Sequence, residues 1–228
     1  MRQLIEPPNI ASSGVRAFFT TKISADNNIN AALAEELNIA AENIYLPVQK
    51  HTINIHVLDS AREPVIADAV VTNKKGILIG VLVADCVPVL LWDKRRGVIG
   101  AVHAGWRGTA GQILKETITT VEERYNCSTN DIAVAIGPSI RQCSYEVNED
   151  VKSAVRDATG EGDYFRKKGE KYFIDLSHAN KLQALSKGIL QENIWQSDEC
   201  TFCNPERFYS YRYAGGSAGR QGGFIGMW

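Results

Sequence analysis

The chain has 228 residues, of which 44% are hydrophobic and 22% charged, with a formal net charge of −1. This length buries a substantial core in one domain spanning 1–228, and the near-neutral charge gives no electrostatic reason to expect nucleic acid or an anionic membrane as partner. No apolar run approaches the about 20 residues that a membrane helix needs. The segment Met1-Arg2-Gln3-Leu4-Ile5-Glu6-Pro7-Pro8 lacks the apolar stretch of a secretory signal. The expected location is therefore the cytoplasm, where the five Cys stay reduced. Their odd number also argues against a disulfide framework.

In chain order, residues 31–44 have helix-forming composition. Ile77 to Val83 is a continuous run of β-branched and Leu residues, as in a buried strand. Val87–Trp92 and Val98–Val102 read as a hairpin around Asp93-Lys94-Arg95-Arg96-Gly97. With Trp92 opposite Gly97, Cys86 falls opposite His103, and Pro88 counts against a regular central strand. Thr109 to Tyr125 reads as one helix capped by Gly108 or Thr109, with Ile113, Leu114, Ile118 and Val121 at helical spacing. Ile132–Ile136 is a strand ending at Gly137-Pro138. Val147–Arg156 and Leu176–Gly188 read as helices, the second capped by Asp175. Tyr172–Ile174, Ile194–Trp195 and Phe208–Tyr213 are the remaining predicted strands. Helices mixed with strands and a hairpin predict the α+β class, as a layered α/β sandwich with mixed β-sheets and flanking helices.

Chemistry-bearing residues are few. Only four His exist, at 51, 56, 103 and 178. His51, Cys86 and His103 together make a His₂Cys set, and three protein ligands with an open fourth position is the pattern of catalytic zinc. Taken from spacing alone, a buried core thiol at Cys86 and a satisfied surface imidazole at His51 is the favoured reading. The same ligands with an axial Met describe electron-transfer copper, but the two Met are residues 1 and 227, and four His are too few for a further copper cluster. Gly105-Trp106-Arg107-Gly108-Thr109-Ala110-Gly111 reads either as an anion-binding helix start or as a tight turn with Trp106 on the core. Cys200-Thr201-Phe202-Cys203 is a lone C-x-x-C pair without the second pair of a zinc ribbon, which favours reduced, structural thiols there and at Cys143. Arg212 and Arg220 place two guanidinium groups near the C-terminus.

At these motifs the chain resembles the YfiH-like family, long labelled polyphenol oxidase or laccase-domain proteins. The resemblance rests on Asp68-Ala69-Val70-Val71-Thr72, Ala84-Asp85-Cys86, Ala101-Val102-His103-Ala104-Gly105-Trp106-Arg107-Gly108-Thr109 and Ala135-Ile136-Gly137-Pro138. It continues through Cys143, Tyr145-Glu146-Val147, Asp175-Leu176, Cys200-Thr201, Tyr209-Ser210-Tyr211-Arg212 and Gly219-Arg220, in family order from about residue 48 onward. It implies zinc, rather than copper, held by His51, Cys86 and His103. The family pattern Gln-Val-His-Gly is kept here as Gln49-Lys50-His51-Thr52. Two departures stand out. The loop from Thr20 to Asp26 lacks the family's Gly-Gly-Val-Ser type signature, and Arg212-Tyr213 replaces an Arg-Arg pair.

The resemblance also implies purine nucleoside phosphorylase and adenosine deaminase activities. The expected enzyme takes inosine, adenosine or methylthioadenosine plus phosphate to the free base and a sugar 1-phosphate. Arg107, Arg212 and Arg220 are the candidate phosphate ligands by charge, and Asp85 and Asp68 the candidate proton carriers. Deamination suits a zinc-activated water, although the H-x-E…P-C-x-x-C signature of zinc nucleobase deaminases is absent. The rival readings are a metal-free cysteine hydrolase using Cys86 and His103, the copper-dependent polyphenol oxidase of the older family label, and a non-catalytic zinc-binding module. Nothing in the sequence speaks to oligomeric state.

Overall fold

A computed structural model describes residues 4–22, 29–59 and 63–228. In chain order its first half comprises β1 (Leu4–Ile5), β2 (Val15–Thr20), α1 (Ile29–Leu37), β3 (Ile44–Tyr45), β4 (Ile55–Val57), β5 (Ala69–Thr72) and β6 (Ile77–Val83). The middle holds β7 (Val87–Asp93), β8 (Val98–Ala104), α2 (Trp106–Ala110), α3 (Ile113–Tyr125) and β9 (Ile132–Ile136). The last third holds β10 (Glu146–Val147), α4 (Glu149–Thr159), β11 (Phe165–Lys168), β12 (Lys171–Ile174), α5 (Leu176–Ser186), β13 (Ile194–Gln196) and β14 (Gln221–Met227). No helix among the described residues is long and apolar enough to cross a membrane.

Strands β6, β7 and β8 are apolar at nearly every position because both of their faces are covered. A five-stranded sheet runs β1-β2-β14-β6-β3 and a six-stranded sheet runs β13-β9-β7-β8-β5-β4; a small third sheet runs β10-β12-β11. Both large sheets are mixed: β3 pairs parallel with β6, β4 with β5 and β13 with β9, while the other pairings are antiparallel. Period-2 alternation then builds four layers. Phe18, Leu78 and Phe224 meet Leu33 and Leu37 of α1 on the outer face of the first sheet. Phe19, Ile79 and Ile225 meet Leu90, Trp92, Ile99 and Ala101 between the sheets. On the far face Val89, Leu91 and Val102 meet Ile113, Ile118, Leu176 and Ala184 from α3 and α5. The expected sandwich with mixed sheets and flanking helices is the observed one.

Several local expectations are corrected. The hairpin closes with Asp93 opposite Val98, so Trp92 pairs with Ile99 and His103 with Pro88. Gly97 cannot pair because it turns the chain at φ +60°, and Asp93 Oδ1 accepts from the amides of Arg95 and Arg96 at 2.8 and 2.9 Å. The slip moves each partner by two, so every side chain keeps its face. Pro88 sits at the start of β7, where its missing N–H costs little while its carbonyl still accepts from the Gly137 amide at 2.9 Å. The single helix expected from Thr109 starts at Trp106 and breaks at Gln112, whose φ is +59°. Val147 belongs to β10, so α4 begins after Asn148. Phe208–Tyr213 forms turns instead of a strand. The C-terminal strand is β14, inserted between β2 and β6. Its glycines hid it, yet they are required: a Cβ at Gly223 would lie 2.9 Å from the Phe19 ring and one at Gly226 2.8 Å from the Ile77 carbonyl.

Candidate metal centre and its cleft

The connection from β6 to β7 carries the chain from one sheet to the other in three residues, Ala84-Asp85-Cys86, with Asp85 at φ +87°. Because β8 is antiparallel to β7, its end lies beside this crossing. His103 shares the inter-sheet face of Ile99 and Ala101, and so emerges where the two sheets part. His51 arrives on the loop after β3, which Gln49 fastens to the end of β6. Gln49 Nε2 donates to the Leu82 carbonyl and Gln49 Oε1 accepts from the Leu82 amide, both at 2.8 Å.

The ligand atoms of His51, Cys86 and His103 all lie within 4.8 Å of one another. Cys86 Sγ is 3.8 Å from His51 Nε2, and the two imidazoles meet edge to face at 4.8 Å between centroids. Gly105 makes room for them, since a Cβ there would lie 3.0 Å from Cys86 Sγ and 3.1 Å from His51 Cδ2. His103 Nδ1 is engaged by Asp68 Oδ1 at 2.7 Å. That leaves His103 Nε2 for Cys86, an arrangement that orients metal-binding imidazoles. The donor set, its spacing and the anchored tautomer fit a zinc-type cation with one open position.

Electrostatics follow from this packing. Burial alone would raise the Asp68 carboxyl, but hydrogen bonds from His103 and Thr52 outweigh it and hold the group well below the carboxylate range. Burial likewise opposes the Cys86 thiolate, yet His103 and His51 draw its pKa down to about 6. The His103 imidazole, penalised by burial, is raised to about 9 by Asp68 and Cys86.

A cleft of about 630 Å³ opens over this set and is lined by His51, Asp85, Cys86, His103, Arg107, Arg212 and Arg220 among others. Every residue expected at the site from the sequence is therefore on its wall except Asp68, which is fully buried behind His103. Asp85 Oδ1 accepts from Thr201 Oγ1 at 2.6 Å, and its Oδ2 from Ser210 Oγ at 3.0 Å and the Arg212 amide at 2.7 Å. This carboxylate thereby pins the turns after β13 to the site. Arg212 lies 5.1 Å over the Tyr145 ring, and Arg107 4.4 Å over Trp106. Sequence reasoning gave no role to Gln49, Trp106, Tyr145 or Tyr211, all of them on the wall. The Gln two residues before His51 was the available signal for the first; no spacing rule points to the others. In the divergent N-terminal loop, Lys22 lies 5.1 Å over Tyr209, and 23–26 fall outside the described residues.

An α+β sandwich with a His-Cys-His donor set at the base of a small-molecule-sized cleft is the architecture of a candidate metal-site enzyme. The chain belongs to the family described as multi-copper polyphenol oxidoreductase laccase, the YfiH-like family, whose model matches residues 23–228. It is 33% identical over 201 residues to a protein of Bacteroides thetaiotaomicron named purine nucleoside phosphorylase, covering 82% of this chain and 74% of that one. It is 35% identical over 205 residues to adenosine deaminase RL5 from an unknown prokaryotic organism, covering 82% and 76%. Among solved structures, YlmD from Geobacillus stearothermophilus superposes with a TM-score of 0.89 at 30% identity, over 96% of this chain and 93% of that one.

Proposed function

We propose that the chain is a zinc-dependent purine nucleoside phosphorylase acting on inosine, adenosine or methylthioadenosine, with adenosine deamination as a second activity of the same site. One observation carries the reading: His51, Cys86 and His103 share a single cleft of about 630 Å³ with Arg107, Arg212 and Arg220. That volume lies within the range of small-molecule sites, and relatives named purine nucleoside phosphorylase and adenosine deaminase support a purine nucleoside as substrate. His51, Cys86 and His103 would hold the zinc, which when bound would supply a Lewis acid to the cleft. Copper oxidase chemistry fits less well, because His56, His178 and Met227 do not line the cleft.

Phosphorolysis breaks the bond from C1′ to the purine nitrogen and forms one from C1′ to an oxygen of hydrogen phosphate, whose proton passes to the departing purine. The guanidinium groups seat the phosphate, and Trp106, Tyr145 and Tyr211 offer ring faces to the base. Of the two carboxylates, Asp85 borders the cleft with both oxygens engaged by Thr201, Ser210 and the Arg212 amide and so holds the cleft wall in place, whereas Asp68 orients His103. Metal-loaded protein incubated with inosine or adenosine is expected to release hypoxanthine or adenine only when phosphate is present, and His103→Ala to abolish this. Failure of the metal-loaded protein to form any base or inosine would overturn the reading.

The line Cys86–His103–Asp68, with its lowered thiol, also favours a second reading as a metal-free cysteine hydrolase. Turnover that survives a chelator and stops on alkylation of Cys86 would select it.

A further inference from the structure

Away from the cleft, three of the five cysteines converge. Cys143 lies in the loop between β9 and β10, and Cys200 and Cys203 bracket the turn after β13. Cys143 Sγ is 3.5 Å from Cys200 Sγ and 3.5 Å from Cys203 Sγ, and all three sulfurs lie within 4.8 Å of one another. A disulfide would need a separation of about 2.05 Å. Thiolates around a tetrahedral ion with metal–sulfur bonds of about 2.3 Å stand about 3.8 Å apart, close to the spacing seen. Burial pushes the Cys200 thiol up to about 11, against which the amides of Arg141 and Cys203 beside its sulfur favour the charged form. Cys143 and Cys203 are exposed, so their thiols add nothing to a core and leave a path from solvent.

We propose that Cys143, Cys200 and Cys203 form a second cation site, separate from the His51–Cys86–His103 set, that takes a thiophilic ion such as zinc(II) with water completing the tetrahedron. Binding displaces the three thiol protons to solvent. The ion would staple the loop after β9 to the turn after β13, which already meet where Ser139 pairs with Cys200 and the Thr201 amide donates to the Ser139 carbonyl at 3.1 Å. Both segments back the cleft. Ile140 and Tyr145 line it, and Thr201 hydrogen-bonds Asp85. The proposal does not depend on which reaction the cleft performs.

The test is the metal content of the intact chain after saturation with zinc and desalting. Wild type is expected to retain one more equivalent than Cys143→Ser or Cys203→Ser, and His103→Ala to lose a different equivalent, so that the double variant with Cys143→Ser retains neither. Cadmium in place of zinc should give a thiolate charge-transfer band that persists in His103→Ala and is strongly reduced in Cys143→Ser. Circular dichroism confirms that each variant is folded; both serine positions are exposed, so either can stand alone. Equal metal content in wild type and the two serine variants would overturn the site. So would a Cys143–Cys203 cross-link, two hydrogens lighter in intact mass, in freshly isolated protein that takes up no second equivalent.

Discussion

Asp68 has no exposed surface, and its carboxylate accepts from His103 Nδ1, from the amides of Lys50, His51 and Thr52, and from Thr52 Oγ1. One side chain thus sets the His103 ring and holds the turn on which His51 sits at the unfavourable φ of +58°. Asp68→Asn keeps the volume but turns an acceptor into a donor facing donors. Loss of such a partner behind a metal ligand weakens metal affinity by about 10–100-fold, which chelator competition reads directly. An unchanged affinity would sink the positioning role. The pH dependence has a definite sign. A carboxyl held below its unfolded value near 4 adds stability above that value, and loses it as pH falls through the folded one. The acid limb of the metal-free chain should therefore be flatter in Asp68→Asn than in wild type.

Helix α5 shows how an element is tied to the site. Asp175 is its N-cap, with Oδ1 accepting from the His178 amide at 3.0 Å and Oδ2 from Arg141 Nε at 2.9 Å. Further along, Asn180 and Gln183 donate to Thr109 of α2, each at 2.9 Å. Asp175→Ala removes the cap and leaves a half-buried guanidinium without its carboxylate, costing about 1–3 kcal/mol in stability. Thermal unfolding checks this, and a midpoint equal to wild type would refute it. The cap was legible in the sequence, as were β6 and β9, because local chemistry decides them: a carboxylate at a helix start, unbroken apolar runs. The helix break at Gln112 and strand β14 were not: a left-handed Gln follows no residue preference, and a strand with glycine at 222, 223 and 226 is imposed by neighbours distant in sequence. The hairpin register failed on one residue, Gly97. The grouping of Cys86 with His103 survived because Cys86 sits in the connection beside the end of β8, close to Pro88, the partner of His103.

Across the whole molecule the net charge is −1, so attraction of an anion must come from where charges are placed. The fold places them at the mouth where its two large sheets separate. Arg107 comes from the helix after β8, while Arg212 and Arg220 come from the long turn region before β14. These segments reach one cleft only because β14 returns the C-terminal chain to the middle of the first sheet, beside β6. That long-range closure is also why spacing alone did not unite the three guanidinium groups. If they seat phosphate, Arg107→Ala loses a charge-assisted hydrogen bond worth about 1.5–3 kcal/mol, a rise of about 10–100-fold in the KM for phosphate. The KM for the nucleoside should move far less, and Arg107→Lys should recover only part of the loss, because an ammonium keeps the charge without the planar fork. Initial rates at varied phosphate and fixed inosine separate the two constants. A phosphate KM equal to wild type in Arg107→Ala would remove this residue from the anion seat and leave Arg212 and Arg220 to hold it.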